Sequence, residues 1–124
     1  MYYNIHTHQS INHDLVTEVV NQYPSEVNLS LKTFSVGIHP WYINEGSLNT
    51  ELNLIENNLT NSNCKAIGEC GLDKRIDFSI DLQKKALIPQ LILAEKYKKP
   101  VILHCVSAYQ EMIQVKKELK LTVP

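Results

Sequence analysis

An excess of charge of either sign is missing from this chain. Twelve lysines and arginines nearly balance 13 aspartates and glutamates, leaving a net charge of −1. That balance excludes a broad basic surface of the kind that binds nucleic acid by counterion release. Any nucleic-acid substrate has to be gripped locally, by metal ions and a few side chains. Cysteine is scarce and odd in number, and Cys64, Cys70 and Cys105 form no C-x-x-C. This argues against a disulfide framework and against a thiolate zinc knuckle. The three read as small buried hydrophobes in a reducing compartment. No apolar run reaches the length of about 18 residues that a membrane span needs, and the N-terminus lacks a basic, then apolar, then small-residue signal. The expected location is the cytosol, with no membrane partner.

What is present points to one domain over residues 1–124. The chain is 44% hydrophobic, enough for a real core at this length. It carries no internal repeat, low-complexity tract or linker. Tyr2 to His6 reads as a first strand. Asp14 to Gln22, with Leu15, Val16, Val19 and Val20 on one side, reads as a short helix ended by Tyr23-Pro24. Val27 to Leu31 alternates with period two and reads as a second strand, and Phe34 to Ile38 as a third, closed by His39-Pro40. Leu48, Leu52, Ile55 and Leu59 form a helical stripe within Ser47 to Leu59. Ala66 to Cys70 is a fourth strand, Ser79 to Lys98 a long helix bent by Pro89, and Pro100 to His104 a fifth strand. The continuous apolar run of that fifth strand predicts that both its faces are covered. Ser107 to Leu119 is a last helix, and Lys120 to Pro124 the approach to another strand.

Alternating strands and helices mean an α/β fold with a parallel sheet, either doubly wound or closed into a barrel. The polar residues favour the barrel. His6, His8, His39, Glu69 and His104 all fall at C-terminal ends of strands, where barrels collect their chemistry. A doubly wound sheet calls for a glycine-rich phosphate turn, and Gly68-Glu69-Cys70-Gly71 does not open a helix.

His6 and His8 stand two apart, so on a strand both imidazoles point the same way and can share one cation. Imidazole and carboxylate together suit zinc, manganese or iron, and one carboxylate can hold two cations. Each residue also has a structural reading. Glu69 could pair with a lysine or arginine, His104 could be a core histidine bonded to a carbonyl, and His39 could shape its loop. His13 reads as solvated. Trp41 and Tyr42 are candidates for stacking on a base or sugar, with packing an equal alternative.

Four blocks in order carry a resemblance: His6-Thr7-His8, Val36-Gly37-Ile38-His39-Pro40, Ala66-Ile67-Gly68-Glu69-Cys70-Gly71-Leu72-Asp73, and Pro100-Val101-Ile102-Leu103-His104. Together they resemble the TatD family of metal-dependent deoxyribonucleases, within the larger metal-dependent hydrolase superfamily. The G-E-x-G-L-D block is the most specific of the four; Gln83, Gln90-Leu91 and Ala94 also fit the family's run. The resemblance implies a (β/α)8 TIM-barrel-like fold of which this chain holds about the first five strands. It implies a hydrolase, a DNase acting on DNA or another phosphoester through two divalent metal ions (zinc, manganese, magnesium or iron). His6 and His8 would hold one ion, and Glu69, the catalytic carboxylate, would bridge it to a second held also by His104. His39 would line the site and contact substrate phosphate. Asp73 is expected to orient the Gly71-Leu72 turn rather than bind metal.

The departures are as informative. Asn4 stands where the family commonly has an aspartate, and the short stretch between His8 and Gly37 implies that one barrel helix is missing or shrunken. The family's sixth-strand histidine and eighth-strand aspartate have no counterpart here, and five strands do not close a barrel. The expectation is therefore a longer protein cut short, and the alternative to an enzyme is an inactive metal-binding remnant that needs a partner chain or its missing part. A phosphatase of the polymerase-histidinol-phosphatase type shares the H-x-H start but gives no reason for the G-E-C-G-L-D block.

Overall fold

The computed structural model describes all 124 residues. Five strands, β1 (Tyr2–Thr7), β2 (Val16–Gln22), β3 (Phe34–Val36), β4 (Cys64–Asp73) and β5 (Val101–Val106), form one sheet. Every neighbouring pair is parallel, and the spatial order is the chain order. A doubly wound sheet reverses its strand order at a switch point; this one never does, which is the arrangement of a barrel wall. Three helices accompany it: α1 (Leu48–Leu59), α2 (Ile80–Tyr97) and α3 (Tyr109–Glu118). The expected partial (β/α)8 architecture is what the chain adopts. No helix is long and apolar enough to cross a membrane.

The core lies between the helices and the sheet's outer face. Phe34 and Val36 of β3, Ile67 and Leu72 of β4, Ile55 and Leu59 of α1, and Leu87 and Leu91 of α2 form one cluster. Cys64 and Cys70 are buried within it and free, and Cys105 is half-buried. Burial pushes the Cys70 thiol up to about 12, so it behaves as an inert hydrophobe.

Three sequence expectations fail. Residues 16–22 form β2 rather than a helix. The run Val16-Thr17-Glu18-Val19-Val20 is rich in β-branched residues, whose strand preference and pairing with β1 and β3 override a helical spacing too short to decide the matter. Val27 to Leu31 is no strand. Asn28 turns the chain there, its side chain accepting the Ser30 N–H at 3.0 Å and its carbonyl the Leu31 N–H at 3.3 Å. Nor is β5 covered on both faces: Leu103 is 46% exposed. The short spacing implied one missing or shrunken barrel helix; the structure has no α-helix at all between β1 and β3, only a 3-10 turn at Pro24–Glu26.

Two buried glutamines about two turns apart on one face of α2 tie the sheet to the helix. Gln90 accepts the Ile38 N–H at 2.8 Å and donates to the carbonyls of Ile38 and Ala86. Gln83 accepts the Asp73 N–H at 2.7 Å and donates to the carbonyls of Asp73 and Phe78. Gln90 serves backbone just past the end of β3, beside His39, and Gln83 serves Asp73, the last residue of β4. Gln90→Ala strands a buried donor and acceptor on Ile38, each costing about 1–3 kcal/mol. A lower urea midpoint with an unchanged slope is the expected result in equilibrium unfolding.

Candidate metal centre

Parallel strands bring their C-terminal ends to one side, and the sequence placed its chemistry there. His6 lies on β1 with His8 just past its end, His39 follows β3, Glu69 is on β4 and His104 on β5. Two of these positions coincide with irregularities in the ladder. The β1–β2 register shifts between Asn4 and Thr7, across His6, and the β4–β5 register shifts between Gly68 and Cys70, across Glu69. Such shifts re-aim a side chain and release its backbone from the ladder. The released Glu69 N–H donates to Oδ1 of buried Asn21 on β2.

Close approach of backbones at β4 makes room for this. A side chain at Gly68 would overlap the Ile102 carbonyl, and one at Gly37 would come within 2.7 Å of the Gly68 Cα. The G-E-x-G block is therefore a packing requirement as well as a chemical one.

Glu69 is the hub. Its side chain is 14% exposed and each carboxylate oxygen faces two imidazoles. Oε2 lies 3.2 Å from Nε2 of His6 and 3.5 Å from Nε2 of His8. Oε1 lies 3.1 Å from Nδ1 of His104 and 3.8 Å from Nε2 of His39. All five sequence-predicted residues are thus brought together, with Glu69 common to two groups of possible metal ligands, His6-His8-Glu69 and His39-Glu69-His104.

Proton positions separate the two histidines at Oε1. His39 Nδ1 accepts the Trp41 backbone N–H at 3.1 Å, so the neutral ring carries its proton on Nε2 and presents a donor to the site. Burial, reinforced by the neighbouring His104, lowers its pKa to about 4, against the opposing pull of Glu69. The ring is therefore neutral near pH 7. His104 is the reverse case. Its Nε2 lies 2.8 Å from Asp73 Oδ2, where a neutral ring donates, leaving a bare Nδ1 lone pair aimed at Glu69 Oε1. A positive centre between them reconciles the two acceptors 3.1 Å apart, either a metal ion or the second proton of an imidazolium. Tetrahedral ligands about 2.0–2.1 Å from zinc stand about 3.3 Å apart, close to the separations of His6, His8 and His104 from Glu69. His6 Nδ1 is buried without a partner, so that ring is held to the cluster through Nε2 alone. The residues present fit a divalent cation.

Asp73 is the residue the sequence reading undervalued. Its turn-orienting role is real, since Oδ1 accepts the Arg75 N–H at 2.8 Å. But Oδ2 also receives the Trp41 indole N–H at 2.9 Å and faces His104. Burial pushes this carboxyl up, yet the hydrogen bonds from Trp41 and His104 outweigh it and bring the pKa down to about 2. The role of Asn21 stays hidden as well, because the spacing of residues 14–22 predicts a helix there. The one available signal was a polar Asn-Gln pair closing a β-branched run.

A profile of the family described as TatD related DNase matches residues 3–123. The 3'-5' ssDNA/RNA exonuclease TatD of Erwinia tasmaniensis is 39% identical over 85 residues, covering 67% of this chain and 32% of that protein. The protein of the same name from Escherichia fergusonii is 35% identical over 80 residues, covering 64% of this chain and 30% of that one. The chain thus spans less than a third of the length of these relatives. Among solved structures, YjjV, a TatD homologue from Escherichia coli K12, superposes with a TM-score of 0.72 at 21% identity, covering 97% of this chain and 56% of that one.

Proposed function

This chain belongs to the TatD-related DNase family, and from that premise we propose that it provides the histidine–glutamate centre of a divalent-metal hydrolase acting on phosphodiester bonds in single-stranded DNA or RNA. The carrying observation is the Glu69 carboxylate, shared between His6 and His8 on one oxygen and His104 and His39 on the other. His6, His8 and Glu69 would hold one ion, and Glu69 and His104 would contribute to a second. When bound, such ions stabilise charge on phosphate oxygens and make a bound water acidic enough to attack at neutral pH. Glu69 turns one carboxylate oxygen to each group of histidines. His39, whose Nε2 is the longest of the four approaches and carries a proton, donates to a phosphate oxygen. Asp73 holds the His104 ring with its lone pair toward Glu69, and the Trp41 indole steadies Asp73 in turn. This is the carboxylate–histidine support common beneath metal ligands. We also assign the protein to the cytosol.

The test is degradation of a 5'-labelled single-stranded oligonucleotide by this chain with added manganese or zinc. Stepwise shortening that stops with a chelator supports the reading, and an intact oligonucleotide in the presence of bound metal counts against it. That second outcome is the signature of a metal-binding chain without turnover. One observation favours it: His39's tautomer leaves only Glu69 and His104 as ligands for a second ion. The role of Asp73 has its own check. Asp73→Asn should weaken zinc binding about 10–100-fold in a competition titration, with the circular dichroism of the fold unchanged.

A further inference from the structure

Beside the metal centre lies a cavity that holding the ions does not require. It has a volume of about 290 Å3, and His39 forms the wall it shares with the Glu69 cluster. That volume sits at the low end for ligand sites and suits one ring system better than a whole nucleotide. Its aromatic walls are Tyr23 and Tyr42, whose rings meet edge to face at 5.5 Å. Pro24 and Ile38 add apolar surface. The charged groups lining it are two carboxylates, Glu26 and Glu51, with no lysine or arginine among the lining residues.

That combination selects a chemistry. Phosphate is repelled by two carboxylates, so it has no place in the cavity and belongs at the cations next door. Ionised carboxylates only accept hydrogen bonds, so the favoured occupant is a flat ring with an amino group at its edge; the N3–H of thymine or uracil sits between two carbonyl oxygens that a carboxylate repels. Aromatic walls favour a ring with a π-face. Burial, then the neighbouring Tyr42, holds the Tyr23 phenol above its ordinary range, so the wall stays uncharged. His39 links the two halves, lining the cavity while its Nε2 faces Glu69 Oε1 at 3.8 Å.

We propose that this cavity is a nucleobase subsite: it seats the base of a nucleotide whose phosphate lies at the Glu69 centre, and prefers bases bearing an exocyclic amino group over thymine and uracil. The proposal rests on the phosphodiesterase reading above and adds to it the part of the substrate that is recognised. Tyr42 provides the stacking surface. Glu51 accepts from the amino group, in the way a carboxylate reads cytosine. Ser47 Oγ donates to Glu51 Oε1 at 3.1 Å and fixes the carboxylate's orientation.

Binding of small ligands tests this without requiring turnover. The zinc-loaded full chain is titrated with dCMP, dTMP and deoxyribose 5-phosphate, following the emission of Trp41. It is the sole tryptophan, and its ring lies 6.5 Å from that of Tyr42. The expected order is dCMP tighter than dTMP by several-fold and tighter than the base-less sugar phosphate by about tenfold or more, the scale of one base–aromatic stack. Tyr42→Ala should bring the dCMP to sugar-phosphate ratio close to one, while Tyr42→Phe retains it. Glu51→Gln should shrink the preference for cytosine over thymine, because an amide offers a donor as well as an acceptor. Equal affinity for all three ligands, absence of saturable dCMP binding, or an unchanged ratio in Tyr42→Ala would each overturn the subsite. A chain that cleaves phosphodiesters with metal yet binds the three ligands alike loses only this inference. One that binds dCMP selectively without hydrolysis keeps it and loses the turnover reading.

Discussion

Glu69→Ala is expected to lower metal-stimulated phosphodiester hydrolysis by more than about 100-fold. Removing a residue that merely supports a ligand typically costs 10–100-fold in metal affinity or activity. Glu69 faces both groups of candidate ligands at once, so its loss should exceed that range. Zinc uptake should fall together with the rate. Stability should not, because the contact that Glu69 makes to β2 runs from its backbone N–H to Asn21 and survives truncation of the side chain. Glu69→Gln sharpens the reading. It keeps the shape but replaces one acceptor oxygen by a donor, so it too should lose metal while retaining the unfolding midpoint. A variant that keeps its metal-dependent rate within a few-fold of wild type would remove Glu69 from the chemistry.

The second large effect concerns folding rather than catalysis. Gly71 on β4 pairs in register with His104 on β5. A Cβ at Gly71 would overlap the His104 carbonyl oxygen and would come within 3.0 Å of the His104 nitrogen. Those are backbone atoms in a paired strand and cannot step aside as a flexible side chain would. Gly71→Ala therefore has to spread β4 from β5, overpacking that costs about 3 kcal/mol or more. In a chain of this size that is a fall in Tm of roughly 10 °C or more. His104 moves with β5, so metal binding should weaken even in the fraction that remains folded. Gly46→Ala serves as the control, since the nearest atom there is the Asn44 side-chain oxygen at 3.3 Å; scanning calorimetry should place it near wild type.

The site was more legible in the sequence than the scaffold around it, for a physical reason. His39, Glu69 and His104 each close an apolar run and His6 and His8 stand at the end of the first strand, and in parallel strands that placement gathers residues from across the chain. Spacing also revealed α1 and α2, long enough for their periodicity to be unambiguous. Short segments fared worse. Residues 16–22 carry an apolar pattern compatible with either period, and only pairing between β1 and β3 decides it. Residues 27–31 alternate like a strand, but a local Asn28 turn captures them first. The exposure of Leu103 was invisible because a continuous apolar run says nothing about how much protein lies on each side of it. Asp73 was underrated because its partners, Trp41 and His104, lie 32 and 31 residues away. No local pattern reports such contacts.

Because each strand lies against the one made immediately before it, the wall can be laid down in the order of synthesis, every new strand docking on the last. A nascent chain that has emerged through α2 already owns His6, His8 and Glu69, the members of one candidate ligand group. His104 arrives only with β5. The His6-His8-Glu69 group is therefore complete before β5 adds His104 to the other.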